Sequence, residues 1–470
     1  MLELPARAPL TTGFKMKPLE IKIAYLGGGS RYWARDLITE LALTPRIKGR
    51  IDLYDLNYEA AERNVAVADR IYGRPEAVTR FTVRAVRRLA DALKGADFVV
   101  LSIEPGPTEM RFADIVIPER HGIFQPVGDT TGPGGIARAL RAVPTYHQFG
   151  QAIAEHCPKA WVINYTNPMT LCTAALYAAD PAIKAFGCCH EVFHTQHDLA
   201  RFVAKWFGVP KPSRQAINLD IAGVNHFTWT TAATWEGHDL FPKLQEMVAD
   251  PACFRSRRAY SQGLKKSQSW FKYSGLVALD LFRRFGALGS AGDRHLAEFV
   301  PWYATSEENL HRWGVILTPY SYRLARCRLR DKDLTHYSQT PIKASEEEGV
   351  RMIEALLGLQ PLDTNVNLPN RGQLAAAPLG VVVETYAQLR RDKATPVVAK
   401  PLPPGAQALV RRVIDVQALT LQAALTRDVD LAFQALLADP LVRIPTDEAW
   451  QMFTEMLRHL RPCLPGWRIP

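Results

Sequence analysis

Short apolar runs alternate with longer amphipathic stretches over roughly the first 215 residues. The apolar runs predict five strands, at 21–26, 51–55, 81–83, 97–102 and 161–164. The amphipathic stretches between the runs predict helices, of which the first two cover about 35–43 and 59–72. Strands that alternate with helices indicate an α/β fold with a doubly wound parallel sheet. The first strand, turn, helix and second strand are typical of a Rossmann-like dinucleotide-binding half.

The pattern changes after about residue 215. Two further runs predict strands at 218–224 and 229–235, and helical stretches follow at 349–357, 405–425 and 446–460. We therefore predict an N-terminal extension (1–16), a Rossmann-like domain (17–215) and a mixed α+β domain for substrate binding and oligomerisation (216–470). This organisation is that of lactate and malate dehydrogenases. The proline-rich segment 396–404 is interpreted as a rigid connection before the penultimate helix.

The composition indicates a globular protein, and its net positive charge has two interpretations. The chain has 470 residues, too many for one ordinary core, and 22% of them are charged. The net charge is +10, with the densest basic cluster at Arg323, Arg326, Arg328 and Arg330. The cluster is interpreted either as a solvated surface or as a means of attracting acidic small molecules. Nucleic acid is not an expected partner, because no recognised binding motif accompanies the charge.

Targeting signals are not evident in the sequence. Residues 1–20 contain no continuous apolar segment of the kind found in secretory signals. No apolar run reaches the roughly 20 residues of a membrane span. Seven irregularly spaced cysteines argue against a disulfide framework. We therefore expect a cytoplasmic protein without a membrane partner.

A glycine turn after the first strand is the candidate cofactor site. The turn precedes a helix, and its backbone and the helix N-terminus suit a pyrophosphate. Asp55 ends the second strand, where an acidic residue binds the ribose 2′-hydroxyl and favours NAD over NADP. Tyr32 stands at the third glycine position of the usual motif, so the turn alone is weak evidence. The candidate cofactor-binding residues besides Asp55 are Gly27, Gly28, Gly29 and Ser30.

Polar residues that suit sugar and metal binding occur further along. Asn167 follows the fifth strand, at the sheet edge where open α/β proteins bind ligands, and its amide can pair with sugar hydroxyls. A thiolate from Cys189 and an imidazole from His226 can hold a divalent metal with positions left open for substrate. Taken alone, however, the two residues more readily indicate a buried thiol and a packed histidine.

The series of motifs resembles glycoside hydrolase family 4, in order and spacing, over nearly the whole chain from about Lys17. The matching motifs are the glycine turn with Asp55, Glu109-Met110-Arg111, the glycine-rich segment Gly128–Gly135, Asn167-Pro168, Cys189-His190-Glu191-Val192, Gly223-Val224-Asn225-His226 and Asn367-Leu368-Pro369-Asn370.

This resemblance implies an enzyme that uses NAD and Mn²⁺ or another divalent transition metal. Family 4 enzymes depart from the usual two-carboxylate scheme of glycoside hydrolysis. They act by oxidation of the sugar, elimination, addition of water and reduction, so that no net NADH appears. Cys189 and His226 are the implied metal ligands. The resemblance also suggests a homodimer or homotetramer.

The resemblance gives a candidate acid but leaves the base open. His190 occupies a position suited to assisting departure of the leaving group. Many relatives use a tyrosine as base where this chain has Ala287 and Leu288. Three other residues remain as candidates for the base: Asp293, His295 and Tyr273.

The motif Cys189-His190-Glu191-Val192 is the pattern associated with α-galacturonidases. Arg111 or Arg294 would then pair with the uronate carboxylate, and Asn167 and Glu191 are the further candidates for substrate binding. An α-glucuronidase or α-galactosidase of the same family is the alternative. From other classes, an NAD-dependent 2-hydroxy-acid dehydrogenase or a redox-sensing NAD-binding protein would share the glycine turn.

Overall fold

The computed structural model describes residues 17–332, 334, 336–345 and 347–470. The predicted N-terminal extension, residues 1–16, lies outside the described residues.

A mixed sheet of 13 strands extends through the described chain. The strands are β1 Leu19–Leu26, β2 Ile47–Tyr54, β3 Phe81–Val86, β4 Phe98–Leu101, β5 Trp161–Asn164, β6 Lys184–Gly187, β7 Ile217–Val224, β8 Phe227–Trp235, β9 His238–Asp239, β10 Leu288–Gly289, β11 Leu362–Pro369, β12 Val382–Arg390 and β13 Lys393–Pro396. Their order is β10-β8-β7-β12-β11-β6-β5-β4-β1-β2-β3, with β9 beside β8 and β13 beside β12.

The sheet has a parallel half and an antiparallel half. Strands β3-β2-β1-β4-β5-β6 pair in parallel. Strands β11, β12, β7, β8 and β10 continue the sheet with antiparallel pairing. The parallel order 3-2-1-4-5-6 is that of doubly wound dinucleotide-binding folds. It confirms the predicted fold class.

Helices of the described chain pack on both faces of the parallel half and beside the antiparallel half. They are α1 Trp33–Leu43, α2 Tyr58–Tyr72, α3 Leu89–Leu93, α4 Ile117–Arg120, α5 Gly132–His156, α6 Met169–Ala179, α7 Glu191–Phe207, α8 Phe241–Ala249, α9 Arg258–Lys266, α10 Leu276–Phe285, α11 Asp293–Phe299, α12 Glu307–Arg312, α13 Tyr320–Lys332, α14 His336–Gln339, α15 Gly349–Leu356, α16 Pro404–Thr426, α17 Val429–Ala438 and α18 Thr446–Leu460. None of these described helices has both the length and the apolar composition that a membrane span requires.

Successive residues of β1 enter two different cores, because side chains alternate across a strand. Ile23 and Tyr25 pack with α1, α2 and α15, whereas Ala24 and Leu26 pack with α5, α6 and α16. All four are fully buried. A parallel sheet covered on both faces explains why residues 23–26 of β1 form a continuous apolar run rather than an alternating pattern.

The seven predicted strands and the five helices with predicted bounds are present, with ends that differ by a few residues. Strands β6, β9, β10, β11, β12 and β13 were not predicted. In β11, Asn365 and Asn367 face inward and donate to Glu384 of β12, at 3.0 and 3.3 Å. These buried amides interrupt the apolar pattern on which the prediction relied.

Two further predictions concern chain organisation. The sheet crosses residue 215 without a break, since Gly187 of β6 pairs with Asn367 of β11. The domain boundary at 215 therefore stays a prediction, and it does not separate two sheets. The proline-rich segment 396–404 does lead into α16, but both α17 and α18 follow. The prediction that this helix is the penultimate one was wrong, because α17 was missed.

Candidate functional site

The chain turns sharply between β1 and α1. Gly27 has a φ of +92°, and a Cβ atom there would lie 2.0 Å from the carbonyl oxygen of Ser102. Only glycine fits such a position. The amides of Gly27 and Gly28 donate to the carbonyl of Tyr54 at 2.9 and 2.8 Å. These bonds hold the turn against the end of β2.

Asp55 follows β2 and lies beside this turn. Its Oδ2 accepts from the amide of Gly29 and its Oδ1 from the amide of Asn57, both at 2.8 Å. A helix N-terminus such as that of α1 suits a pyrophosphate, and Asp55 suits a ribose hydroxyl. The predicted cofactor-binding residues thus lie together, and they fit a dinucleotide.

Three groups with metal-binding chemistry meet in one cleft. Ligand atoms of Asp129, His226 and His295 all lie within 4.8 Å of one another. The rings of His226 and His295 stack with centroids 4.0 Å apart. Burial would raise the pKa of Asp129, but His295, His226 and Arg138 hold it below its usual range. A carboxylate and two imidazoles are suitable ligands for a divalent transition metal.

The hydroxyl of Thr130 links two members of this group. It lies 2.7 Å from Oδ1 of Asp129 and 2.9 Å from Nδ1 of His226. Because an ionised carboxylate can only accept, the hydroxyl donates to Asp129 and accepts from Nδ1–H of His226. Burial, followed by the charge of His295, lowers the pKa of His226 to about 3, so the ring is neutral. The Nε2 lone pair of His226 is therefore available to a metal.

Removing the Thr130 hydroxyl is expected to weaken metal binding by about 10- to 100-fold, because His226 loses the acceptor that fixes its ring. Thr130→Val keeps the shape of the side chain, and Thr130→Ser keeps the hydroxyl as the matched control. Calorimetric titration with Mn²⁺ measures both affinities. Equal affinities for the two variants would show that the hydroxyl does not orient His226.

Cys189, the other predicted metal ligand, follows β6 and is buried. Its side chain lies beside the Asn225 amide, one residue before His226. Burial, followed by the charges of Glu384 and Glu191, raises the pKa of its thiol well above the usual value. Among the described residues, the metal-ligating group around Asp129 does not include Cys189. Its role as a ligand stays a prediction.

Glu191 lies at the centre of three histidines. Its carboxylate is 3.9 Å from Nε2 of His190, 3.7 Å from Nδ1 of His194 and 3.9 Å from Nε2 of His295. It also accepts from the amide of Gly292 at 2.7 Å. Burial would raise its pKa, but His295, His194 and His190 lower it well below the usual value. The ionised carboxylate can therefore orient the His295 ring.

His190 precedes α7 and contacts the first residue of α1. Its Nδ1 lies 3.1 Å from Glu347, and its ring centroid is 5.7 Å from that of Trp33. Burial alone would lower the pKa of His190, but the hydrogen bond and charge of Glu347 raise it to about 9. At neutral pH the ring holds a proton that it can donate. This matches the predicted role in leaving-group departure, which stays a prediction.

Asn167 joins the site through Asp129. Its Nδ2 donates to Oδ2 of Asp129 at 3.3 Å, and its backbone carbonyl accepts from Nε of Arg138 at 2.8 Å. Its Oδ1 is buried and has no hydrogen-bond partner among the described residues. A buried acceptor of this kind suits a substrate hydroxyl.

The two predicted carboxylate-binding arginines have different surroundings. Arg111 donates to Oε2 of Glu104 at 3.0 Å, so its charge already has a partner. Arg294 donates to the carbonyl of Pro126 and, at 2.7 Å, to the hydroxyl of Thr318. Both of these acceptors are uncharged.

Of the three candidates for the base, only His295 belongs to the Asp129 group. The carboxylate of Asp293 accepts from the amide of Ala278 at 3.1 Å, in the first turn of α10. Burial raises the pKa of Asp293 to about 7 against these backbone bonds. Asp293 is thus used to hold the start of α10, and its role as base stays a prediction.

Tyr273 lies on the Glu191 side of the cleft. Its ring packs against Gly292, where a Cβ atom would lie 2.8 Å from the ring. Burial, followed by the charge of Glu191, raises its pKa, so the phenol keeps its proton. Ala287 and Leu288 are buried in the core and supply no alternative base.

Several residues of the site were not predicted. Asp129 and Thr130 lie inside the glycine-rich segment Gly128–Gly135, and polar residues within such a loop were the signal that could have identified them. Glu347 and Glu384 have no comparable signal. Glu384 contacts Asn225 across 159 residues of sequence.

Two models of a known protein family match this chain, and both cover residues of the site. Residues 22–205 match the family model described as family 4 glycosyl hydrolase. Residues 221–442 match the model for the C-terminal domain of the same family. Together the two matches cover every residue of the Asp129, His226 and His295 group.

Similar proteins agree with these matches. The alpha-galacturonidase of Thermoanaerobacterium saccharolyticum is 45% identical over 462 residues, 96% of this chain and 98% of its own length. A crystal structure of lplD from Bacillus subtilis, described as a candidate glucosidase, is 42% identical with a TM-score of 0.86, covering 93% of this chain and 100% of that one. A 6-phospho-alpha-glucosidase from gut microorganisms, in complex with NAD and Mn²⁺, is 19% identical with a TM-score of 0.74, covering 96% and 100%. At that identity the likeness shows the fold alone.

Proposed function

This chain belongs to glycoside hydrolase family 4, and on that premise we propose that it hydrolyses α-galacturonides with NAD and a divalent metal, preferentially Mn²⁺, as cofactors. The observation that carries the proposal is the nearly full-length match to the alpha-galacturonidase of T. saccharolyticum. The cofactors in this proposal are those of a fold relative, the 6-phospho-alpha-glucosidase in complex with NAD and Mn²⁺.

The donor set of the cleft fits the metal. His226 offers an unprotonated Nε2, Asp129 an ionised carboxylate, and Cys189 a thiol that must lose its proton on binding. We assign these three as ligands, with Thr130 orienting His226. When bound, the metal would stabilise negative charge on the sugar oxygens during proton removal.

The turn Gly27–Ser30 and Asp55 fit NAD. When bound, NAD⁺ would accept a hydride from the sugar and return it at the end, so that no net NADH accumulates. Asp55 would hold the ribose, and the first turn of α1 would hold the pyrophosphate. Asn167, with its free buried Oδ1, would position a sugar hydroxyl beside Asp129.

Proton transfer falls to two histidines. We assign His295 as the base that removes the proton from sugar C2, because it lies in the metal-ligating group and Glu191 orients its ring. We assign His190 as the acid that protonates the departing oxygen, because Glu347 keeps it protonated. Homodimer or homotetramer formation and a cytoplasmic location stay predictions from the sequence.

Aryl release from an aryl α-galacturonide is the direct test. We expect chelator-treated full-length protein to release the aryl group only when NAD⁺ and Mn²⁺ are both restored, with no lasting absorbance from NADH. The matching α-glucuronide and α-galactoside are the controls. If only one of these is cleaved, the family chemistry holds and the galacturonide assignment is wrong. Accumulation of NADH with a 2-hydroxy acid, and no aryl release, would favour a dehydrogenase.

A further inference from the structure

Two arginines share a single uncharged acceptor at the cleft. Arg294 of α11 and Arg323 of α13 both donate through Nη2 to the carbonyl of Pro126, Arg323 at 2.9 Å. Arg294 also donates to Thr318. Sharing one carbonyl brings two positive charges together, and the described residues place no carboxylate between them.

Among the described residues, neither guanidinium has a carboxylate partner, since no carboxylate oxygen lies within 4.0 Å of a nitrogen of Arg294 or Arg323. Arg111, by contrast, pairs with Glu104. The Nε atoms of Arg294 and Arg323 are buried and have no acceptor in the described structure. Buried charge without a partner is costly. The two side chains are therefore arranged for an anion that the described residues do not supply.

The pKa of each guanidinium lies below its usual value. Burial, followed by the charges of Arg111 and Arg294, lowers the pKa of Arg323 to about 9. Burial lowers the pKa of Arg294 to about 10. Arg323 is partly exposed, but its Nε atom is buried, which differs from the solvated surface that was one interpretation of the basic cluster.

The acidic residues nearby have other uses. Glu298 accepts from the amides of Val127 and Gly128, and burial raises its pKa to about 8. Asp129 belongs to the metal-ligating group. Neither is free to neutralise the arginine pair.

The pair lies at the same cleft as the catalytic groups. Arg294 directly precedes His295 in α11, and Pro126 is three residues before Asp129. Asp129 acts electrostatically on both guanidiniums. An anionic group of a sugar bound at Asp129 and His295 would therefore be close to Arg294 and Arg323.

We propose that Arg294 and Arg323 together bind the carboxylate of the uronate ring and select it over the uncharged sugar. This inference rests on the proposed function. A guanidinium fork pairs with a carboxylate through two hydrogen bonds, and two forks can satisfy all its lone pairs. A neutral hydroxymethyl group would leave both buried charges unpaired, which makes rejection of the galactoside strong.

The test compares a charged and an uncharged substrate. Arg323→Gln is expected to lower kcat/KM for the aryl α-galacturonide by about 10- to 100-fold, mainly through KM, with little change for the aryl α-galactoside. Arg323→Lys keeps the charge but not the fork, and is expected to recover part of the loss. Arg328→Gln, exposed on the same helix, is the matched control and should behave as the parent protein.

Calorimetric binding of free galacturonate, with galactose as control, separates this inference from the proposed function. Binding that requires Arg323 supports the arginine pair even if no galacturonide is cleaved, in which case only the proposed function fails. Equal losses for both substrates in Arg323→Gln would mean a structural role and overturn the inference. So would galacturonate binding that Arg323→Gln leaves unchanged, or no galacturonate binding by the parent protein.

Discussion

Replacing His226 by glutamine is expected to lower kcat/KM by about a thousandfold or more and to abolish tight Mn²⁺ binding. His226 is common to the predicted pair with Cys189 and to the observed group with Asp129 and His295. A catalytic metal contributes several kcal/mol to the transition state, and about 4 kcal/mol corresponds to about a thousandfold in rate. Steady-state kinetics and Mn²⁺ titration of the purified variant measure the two effects.

A companion variant distinguishes a ligand from a base. His295→Gln is expected to keep most of the Mn²⁺ affinity but to lose activity, because it removes the imidazole assigned as base beside Glu191. NAD binding, measured separately, should be unchanged in both variants, since the glycine turn is formed by β1, β2 and α1. If His226→Gln retains Mn²⁺ and activity, the metal does not bind at this group. If His295→Gln loses Mn²⁺ as fully as His226→Gln does, His295 is a ligand and not the base.

Replacing Asp114 by asparagine is expected to destabilise the fold by about 3–5 kcal/mol. Asp114 and Arg141 form a fully buried pair with two hydrogen bonds, each 2.8 Å long, and side-chain exposures of 1% and 2%. Arg141 also donates to the carbonyl of Pro105. Asparagine preserves the shape but leaves the Arg141 charge buried and unpaired. Urea unfolding followed by tryptophan fluorescence measures the shift in midpoint.

Two sets of control variants test the stability prediction for Asp114→Asn. Arg120→Gln breaks the exposed pair with Glu455 and is expected to cost about 0–1 kcal/mol. Replacing both buried partners, with Asp114→Leu and Arg141→Met, is expected to cost less than Asp114→Asn alone, since no charge remains unpaired. A midpoint for Asp114→Asn equal to that of Arg120→Gln would show that the buried pair is not a stabilising contact.

Some residues of the site were candidates from the sequence, and others were not predicted. Gly27–Ser30 and Asp55 lie together as predicted, because they belong to one strand–turn–helix–strand unit whose geometry follows from local sequence. His226 lies in the cleft, and its role as a metal ligand stays a prediction. Asp129 and Thr130 beside it were not predicted, since they reach it across 96 residues or more of sequence. The roles of His190, His295 and the other predicted catalytic and binding residues stay predictions.

The sequence by itself determined the fold class, the dinucleotide turn and the family. Each depends on short-range patterns, namely the apolar period of a covered strand, the glycine at a positive φ and motifs of a few residues in a fixed order. The tertiary structure decided which side chains share the cleft. His295 reaches Asp129 through α11, and Arg323 meets Arg294 through a carbonyl 197 residues away from it in the chain. Such contacts depend on how the helices pack on the sheet. A buried charge is shielded from water, so it can interact only with the groups that this packing places beside it.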